Sequence, residues 1–171
     1  MADVASAIVY VLHQEDARMA GLVTNFGRDK GGRTRWGIAE HAHPELTATG
    51  FFDSMSNADS LAKATEVYGA LYARPLMLAS IAVQQVANAL LSFAINEGVI
   101  SSIKVLQAAL NLDQDGMFGT LTLKAVNSMS NILESLEAKQ TAHYMSIVLA
   151  DPTQREFLNG WMNRIKQDCE A

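Results

Sequence analysis

The chain has 171 residues, 49% hydrophobic and 18% charged, enough to bury a sizeable core in one domain and too apolar for a disordered segment. Its formal net charge of −5 disfavours general nucleic-acid binding, which needs a basic face to neutralise phosphates, so any anion site must be a local cluster. The single cysteine, Cys169, excludes a disulfide framework and a cysteine-based zinc site.

The opening MADVASAIVYVLHQED carries Asp3 where a signal peptide has basic residues, so synthesis in the cytoplasm without a cleaved leader is expected. Asp3 can cap a helix whose apolar residues Val4, Ile8, Val11 and Leu12 recur at helical spacing, running to about Met19. The period breaks over residues 21–50. There RTRWGI alternates, with Thr34, Trp36 and Ile38 on one face and Arg33 and Arg35 on the other, as a short strand would. Asn57 is the expected cap of a helix through Tyr72, which must stop near Arg74 because the residue before Pro75 disfavours helical backbone.

The apolar run of residues 76–96 is interrupted by Gln84, Gln85 and Asn88, and so reads as a buried central helix rather than a membrane span; Gly98 ends it. Helices are expected over 101–110, 120–129 and 130–149, with NLDQDGMFG turning the chain between the first two. Asp151 caps the last helix and Pro152 occupies its first turn. The expected fold class is mostly α (α+β), a single domain over 1–171. Residues 1–75 form its helix-and-hairpin part and 76–171 its helical part.

Two carboxylates stand out chemically. Glu15 follows Leu12, Val11 and Ile8 by three, four and seven residues, which puts it on the apolar face at the C-terminal part of the first helix. Burial and the negative helix end both raise a carboxylate pKa, and a glutamate tuned to roughly 6–7 can act as a general acid near neutrality. The competing reading is a helix-end glutamate turned to solvent beside Arg18. Asp29 lies between Arg28 and Lys30, whose charge favours the ionised form. A raised glutamate and a depressed aspartate are the two environments that glycoside hydrolysis uses.

Thr34 follows Asp29 and could hold a water against it, while Gly31 and Gly32 permit a tight turn and close approach of a bulky ligand. A plain basic turn is the competing reading of this stretch. Trp36 is a sugar-stacking or core residue, and Asn96 an N-acetyl donor or a simple helix cap. Trp161 and Arg164, one turn apart, read as packing residues.

Metal motifs are incomplete. Asn111, Asp113, Asp115 and Gly116 open a calcium-loop spacing, but its twelfth position is Thr122 instead of a bidentate glutamate. His41 and His43 lack a third zinc ligand in the sequence nearby. Glu97, before Gly98, is either a cleft residue or a surface helix end.

Taken in order, Glu15, DKGGRTRWGI, FAINEG, LQAALNLDQDGMFGTLTL and DPTQREFLNGWMNRI resemble glycoside hydrolase family 108, small phage-type muramidases ending in a predicted peptidoglycan-binding segment of type 3. The resemblance covers nearly the whole chain. It implies a lysozyme-like, mostly helical fold that cleaves the β-1,4 bond between N-acetylmuramic acid and N-acetylglucosamine. It assigns Glu15 as the acid, with Asp29 and Thr34 positioning a water for inversion.

Two departures stand out: Glu15 is followed by Asp16-Ala17 where the family has two glycines, and the gap to Asp29 is longer. Ala73 also replaces a tryptophan usual after the second helix.

The resemblance further implies bacterial peptidoglycan as partner, no metal or organic cofactor, no nucleic acid and no stable membrane insertion. A monomeric phage endolysin, or a relative embedded in a bacterial genome, is expected, reaching the cell wall through a holin-like pore, by cell lysis or by delivery in a virion. A lytic transglycosylase and a non-catalytic peptidoglycan-binding or virion structural module are the alternatives.

Overall fold

Asp3 starts the first helix as expected. In α1 (Val4–Glu15) its carboxylate accepts the Ala5 amide at 2.9 Å and the Ser6 hydroxyl at 2.8 Å, satisfying donors that the first turn leaves open. Ala7, Ile8, Val11 and Leu12 form its buried stripe. The helix stops at Glu15, short of Met19. Asp16 accepts the amides of Arg18 (3.2 Å) and Gly21 (2.7 Å), and Met19 takes a left-handed φ of 49°, so the chain leaves the helix axis at once.

The computed structural model describes residues 1–25 and 32–170. Two compact units emerge from the contacts: Ile8–Leu71, and Met1–Ala7 together with the chain from Tyr72 onward.

In the unit Ile8–Leu71, β1 (Thr34–Arg35) pairs antiparallel with β2 (Ile38–Ala39), Thr34 opposite Ala39 and Arg35 opposite Ile38. The alternation of RTRWGI therefore belongs to a hairpin and not to one strand. Trp36 and Gly37 form its two-residue turn, with φ of 54° and 74°, the double positive φ that matches strand twist in tight hairpins. Thr24 adds a further bridge on the other side of Thr34, through amide–carbonyl bonds of 2.9 and 2.8 Å.

Both arginines of this stretch are held by the scaffold around them. Arg35 is 7% exposed and donates to the carbonyls of Gly21 (2.8 Å), Phe51 (2.8 Å) and Met55 (3.0 Å). Arg33 forms a bidentate pair with Glu40 (2.8 and 2.6 Å) and a second ion pair with Asp53. Each guanidinium lies over a phenyl ring, Arg33 on Phe52 and Arg35 on Phe51. Both charges are thus tied to the hairpin's own scaffold.

A 3-10 segment, Pro44–Thr49, leads towards α2 (Asn57–Tyr68). The cap of α2 is Ser56, not Asn57: its hydroxyl accepts the Asp59 amide at 3.1 Å and donates to the Asp59 carboxylate at 2.7 Å. Asn57 instead donates to the Met19 carbonyl at 3.3 Å. A π-helical stretch, Gly69–Ala73, continues the helix. Ala73, in the place of the expected tryptophan, is buried there.

The other unit carries the helices α3 (Gln84–Glu97), α4 (Val99–Ala109), α5 (Thr120–Ser128), α6 (Ile132–Ala150) and α7 (Leu158–Glu170). Every residue of α3 from Val86 to Ala94 is buried, and α3 packs against α4, α6 and α7. It begins at Gln84 instead of near Leu76. Met77 adopts a left-handed φ of 49°, and the extended Ile81 gives its carbonyl to the Ala2 amide at 2.7 Å. The Asn127 side chain bonds Ser80 O (2.9 Å) and Ala82 N (2.8 Å), so this segment is held by tertiary bonds.

Gly98, with φ 86°, separates α3 from α4. Asp151 accepts the Thr153 amide at 3.0 Å and caps a 3-10 turn, Pro152–Phe157, ahead of α7. Among the described residues no helix is long and apolar enough to cross a membrane. The fold is mostly α with a small early hairpin, as expected.

Candidate active site

The hairpin turn is the piece that brings Glu15 into a site. Glu15 ends α1, and Gly37 lies directly against it: a Cβ at Gly37 would stand 2.6 Å from Glu15 Cγ and 2.9 Å from its carboxyl carbon. Any other residue at Gly37 would have to push the glutamate aside. Glu15, Asp16, Leu22, Thr24, Thr34, Trp36 and Gly37 together line a cleft of about 230 Å³.

The sequence-expected residues distribute as follows. Glu15, Thr34 and Trp36 meet on this cleft. Thr34 gives both its amide and its carbonyl to Thr24 and faces Ala39 across the β1–β2 pair, which fixes the strand that carries it. Trp36 contributes to the wall but is only 2% exposed, with its indole N–H donated to Ser60 Oγ at 3.0 Å. Its ring offers no open face for a sugar.

Gly32, at φ 74°, packs on the His41 ring, where a Cβ would come within 3.0 Å of Nε2. Asp29 and Gly31 lie outside the described residues. Asn96 belongs to the other compact unit, where its amide donates back to Ser92 O at 2.9 Å along its own helix.

Other residues enter the site that sequence reasoning did not single out. Asp16 lines the cleft, and its carboxylate accepts the Gly21 amide at 2.7 Å. It thereby folds the segment after α1. Gly37 was visible only as a letter of the DKGGRTRWGI motif. Tyr68 had no local signal at all, since it reaches the turn from α2 across 32 residues to donate to the Trp36 carbonyl at 2.6 Å.

The remaining acidic motifs serve the scaffold. Glu97 ends α3, and its Oε2 lies 2.9 Å from His143 Nε2. Buried Tyr144 packs edge-on to Phe93 and stacks on Trp161 at 4.6 Å; burial first, and then the Glu97 charge, push its phenol above the usual range. Trp161 is therefore a packing residue. Asp115, in the turn with calcium-loop spacing, accepts Gln107 Nε2 (2.6 Å) and the Met117 amide (2.8 Å), bonds that hold its carboxylate below the ordinary value. His43 Nδ1 sits 3.2 Å from Glu45 Oε1. Among the described residues no three His, Cys, Asp or Glu side chains gather as a metal site would require.

The chain is similar to known proteins in sequence and in fold. The family model described as Glycosyl hydrolase 108 matches residues 10–98, which carry Glu15, the hairpin and α3. The model described as Predicted Peptidoglycan domain matches residues 101–166, from α4 into α7. Among solved structures, SagA of Brucella abortus is 27% identical, with a TM-score of 0.74 over 98% of this chain and 91% of that one. No curated protein matches. The two family matches together support a lysozyme-like peptidoglycan hydrolase activity. With the first of them covering more than half of its residues, the chain belongs to the glycosyl hydrolase 108 family and is a glycoside hydrolase.

Proposed function

We propose that the chain is an N-acetylmuramidase that cleaves the β-1,4 bond between N-acetylmuramic acid and N-acetylglucosamine with inversion. The observation that carries this reading is the meeting of Glu15 and Thr34 on one cleft beside a glycine turn. Glu15, at the end of an apolar helix, donates its proton to the glycosidic oxygen as that bond to the anomeric carbon breaks. Asp29 takes a proton from a water on the opposite sugar face, and Thr34 helps hold that water. The attacking oxygen ends up on the face opposite the leaving group, so the product anomer is inverted. Space for the water calls for carboxyls roughly 6.5–9.5 Å apart in the closed site.

The narrow cleft fits a sugar chain approaching edge-on to Glu15, with Trp36 as wall and not as stacking platform. Arg33 and Arg35 are committed to the scaffold, so attraction of anionic stem peptides falls to Arg28 and Lys30. The wall polymer is also engaged through the segment matching the peptidoglycan domain. The biological setting of this reading is a monomeric phage endolysin released to the wall through a holin-like pore.

The test is lysis of outer-membrane-permeabilised cells by wild type and Glu15→Gln, with mass and NMR analysis of released glycan. Wild type should clear turbidity and release hydrated reducing ends of inverted configuration, and Glu15→Gln should do neither. Anhydromuramic ends would replace the Asp29 step by intramolecular attack, and retained configuration would make Asp29 a nucleophile. Wall binding without turbidity loss at any pH from roughly 5 to 8 would make the protein a binding module instead.

A further inference from the structure

Trp36 is a bulky residue in a left-handed conformation, φ 54°, which is strained and persists only where its surroundings impose it. The surroundings are on α2. Ser60 Oγ receives the indole N–H at 3.0 Å and in turn donates to Asn57 O at 2.9 Å. Two helical turns further on, Tyr68 donates its hydroxyl to the Trp36 carbonyl at 2.6 Å. Gly21, φ 60°, lies under the same indole, where a Cβ would come within 2.6 Å of Cζ2. The indole N–H and the carbonyl of Trp36 are thus both taken by α2.

The consequence is felt at the next residue. The virtual Cβ of Gly37 lies 2.7 Å from Tyr68 Oη and 2.9 Å from the Glu15 carboxyl carbon. Three groups from three elements therefore converge on one point: the end of α1, the hairpin turn and the end of α2. Tyr68 is 1% exposed, so its hydroxyl has little freedom to move away.

We infer that the Tyr68 hydroxyl and the bare Gly37 position form the positioning device for the Glu15 carboxyl, with α2 pinning the hairpin turn so that the turn limits where that carboxyl can go. The inference rests on the reading of Glu15 as the acid. Tyr68 acts through Trp36 and Gly37 and is a positioning residue, not a donor to substrate. The reason Gly37 must be glycine is then double: its φ of 74°, and the space that the carboxyl occupies.

Two measurements on the whole chain test it. In Tyr68→Phe, folded by circular dichroism, kcat on solubilised peptidoglycan should fall about tenfold with KM within about twofold, and the pH–rate profile should be displaced. Separately, Gly37→Ala is compared in wild type and in Glu15→Ala by thermal melting. Removing the glutamate side chain takes away part of what the new methyl meets, so the drop in melting temperature should be smaller by about 3 °C or more. Unchanged kcat and pH profile in folded Tyr68→Phe, or equal drops in both backgrounds, would overturn the inference. Full activity in Glu15→Gln would remove the acid assignment itself, a pattern distinct from either.

Discussion

Two glutamates each close a helix with a buried apolar face, Glu15 at the end of α1 and Glu97 at the end of α3, one in each compact unit. In sequence they look alike: an apolar run, then a carboxylate, then a change of direction. Their neighbours separate them. Glu97 meets a histidine at hydrogen-bond distance beside a stack of aromatic rings, an arrangement that fixes α3 to α6. Glu15 meets a glycine and opens onto a cleft. The first arrangement serves architecture, whereas the hollow beside Glu15 leaves room for something to enter.

The strongest way to break this contrast is to exchange charge for amide at both positions. Glu15→Gln should lose about a thousandfold in lytic rate, the size expected for removing a general acid. Glu97→Gln should lyse walls within about twofold of wild type while melting earlier, because its loss falls on the histidine contact. Equal losses at both would erase the distinction.

Next in size is support of the turn. Trp36→Ala removes a 2% exposed indole, and core Trp truncations cost about 3–5 kcal/mol, a large part of the stability of most domains, so chemical denaturation should show a major loss. The matching change around Glu97 is milder. His143→Ala removes one partly exposed contact and should cost about 1 kcal/mol, or a shift of about 2–4 °C in melting temperature.

The smallest effect concerns acid. The Arg33 guanidinium, together with the Thr47 hydroxyl, holds the Glu40 carboxyl down at about 2, against an ordinary value of 4.5. A depressed carboxylate stabilises the folded state fully above its unfolded pKa and loses that contribution as pH falls towards the folded value. Melting temperature should therefore fall between pH 4.5 and about 2. Glu40→Gln should be less stable near neutrality and flatter across this window, an effect weakened by salt.

What could be foreseen follows the same line between local and distant causes. Asp3, Gly98 and the Asp151-Pro152 pair announce their helix boundaries because each acts on residues within one turn. The alternation in RTRWGI correctly pointed to β structure, yet it hid a two-residue turn, since Trp is an unlikely occupant of a left-handed position. What makes Trp36 acceptable there is Ser60 and Tyr68, 24 and 32 residues away. The burial of Arg35 was illegible for the same reason: its acceptors are carbonyls at Gly21, Phe51 and Met55, invisible to any short window. The late start of α3 depends on Asn127 and Ala2, partners equally remote in sequence. Glu15 and Thr34 could be nominated from spacing and resemblance, but that Glu15 rests on Gly37 is a fact of tertiary packing alone.

The burial of α3 bears on how such chains can be recombined over evolutionary time. The hydrolase match ends at residue 98 and the peptidoglycan-domain match begins at 101, so a sequence comparison draws its border at the Gly98 turn. Folding draws a different one: α3, on the hydrolase side, is wrapped by α4, α6 and α7 from the other side. A gene fusion cut at that glycine would strip α3 of its covering and leave the helices beyond without their centre. The two halves are thus expected to be inherited together, and swaps between relatives to succeed only when the donor's α3 travels with the helices that enclose it.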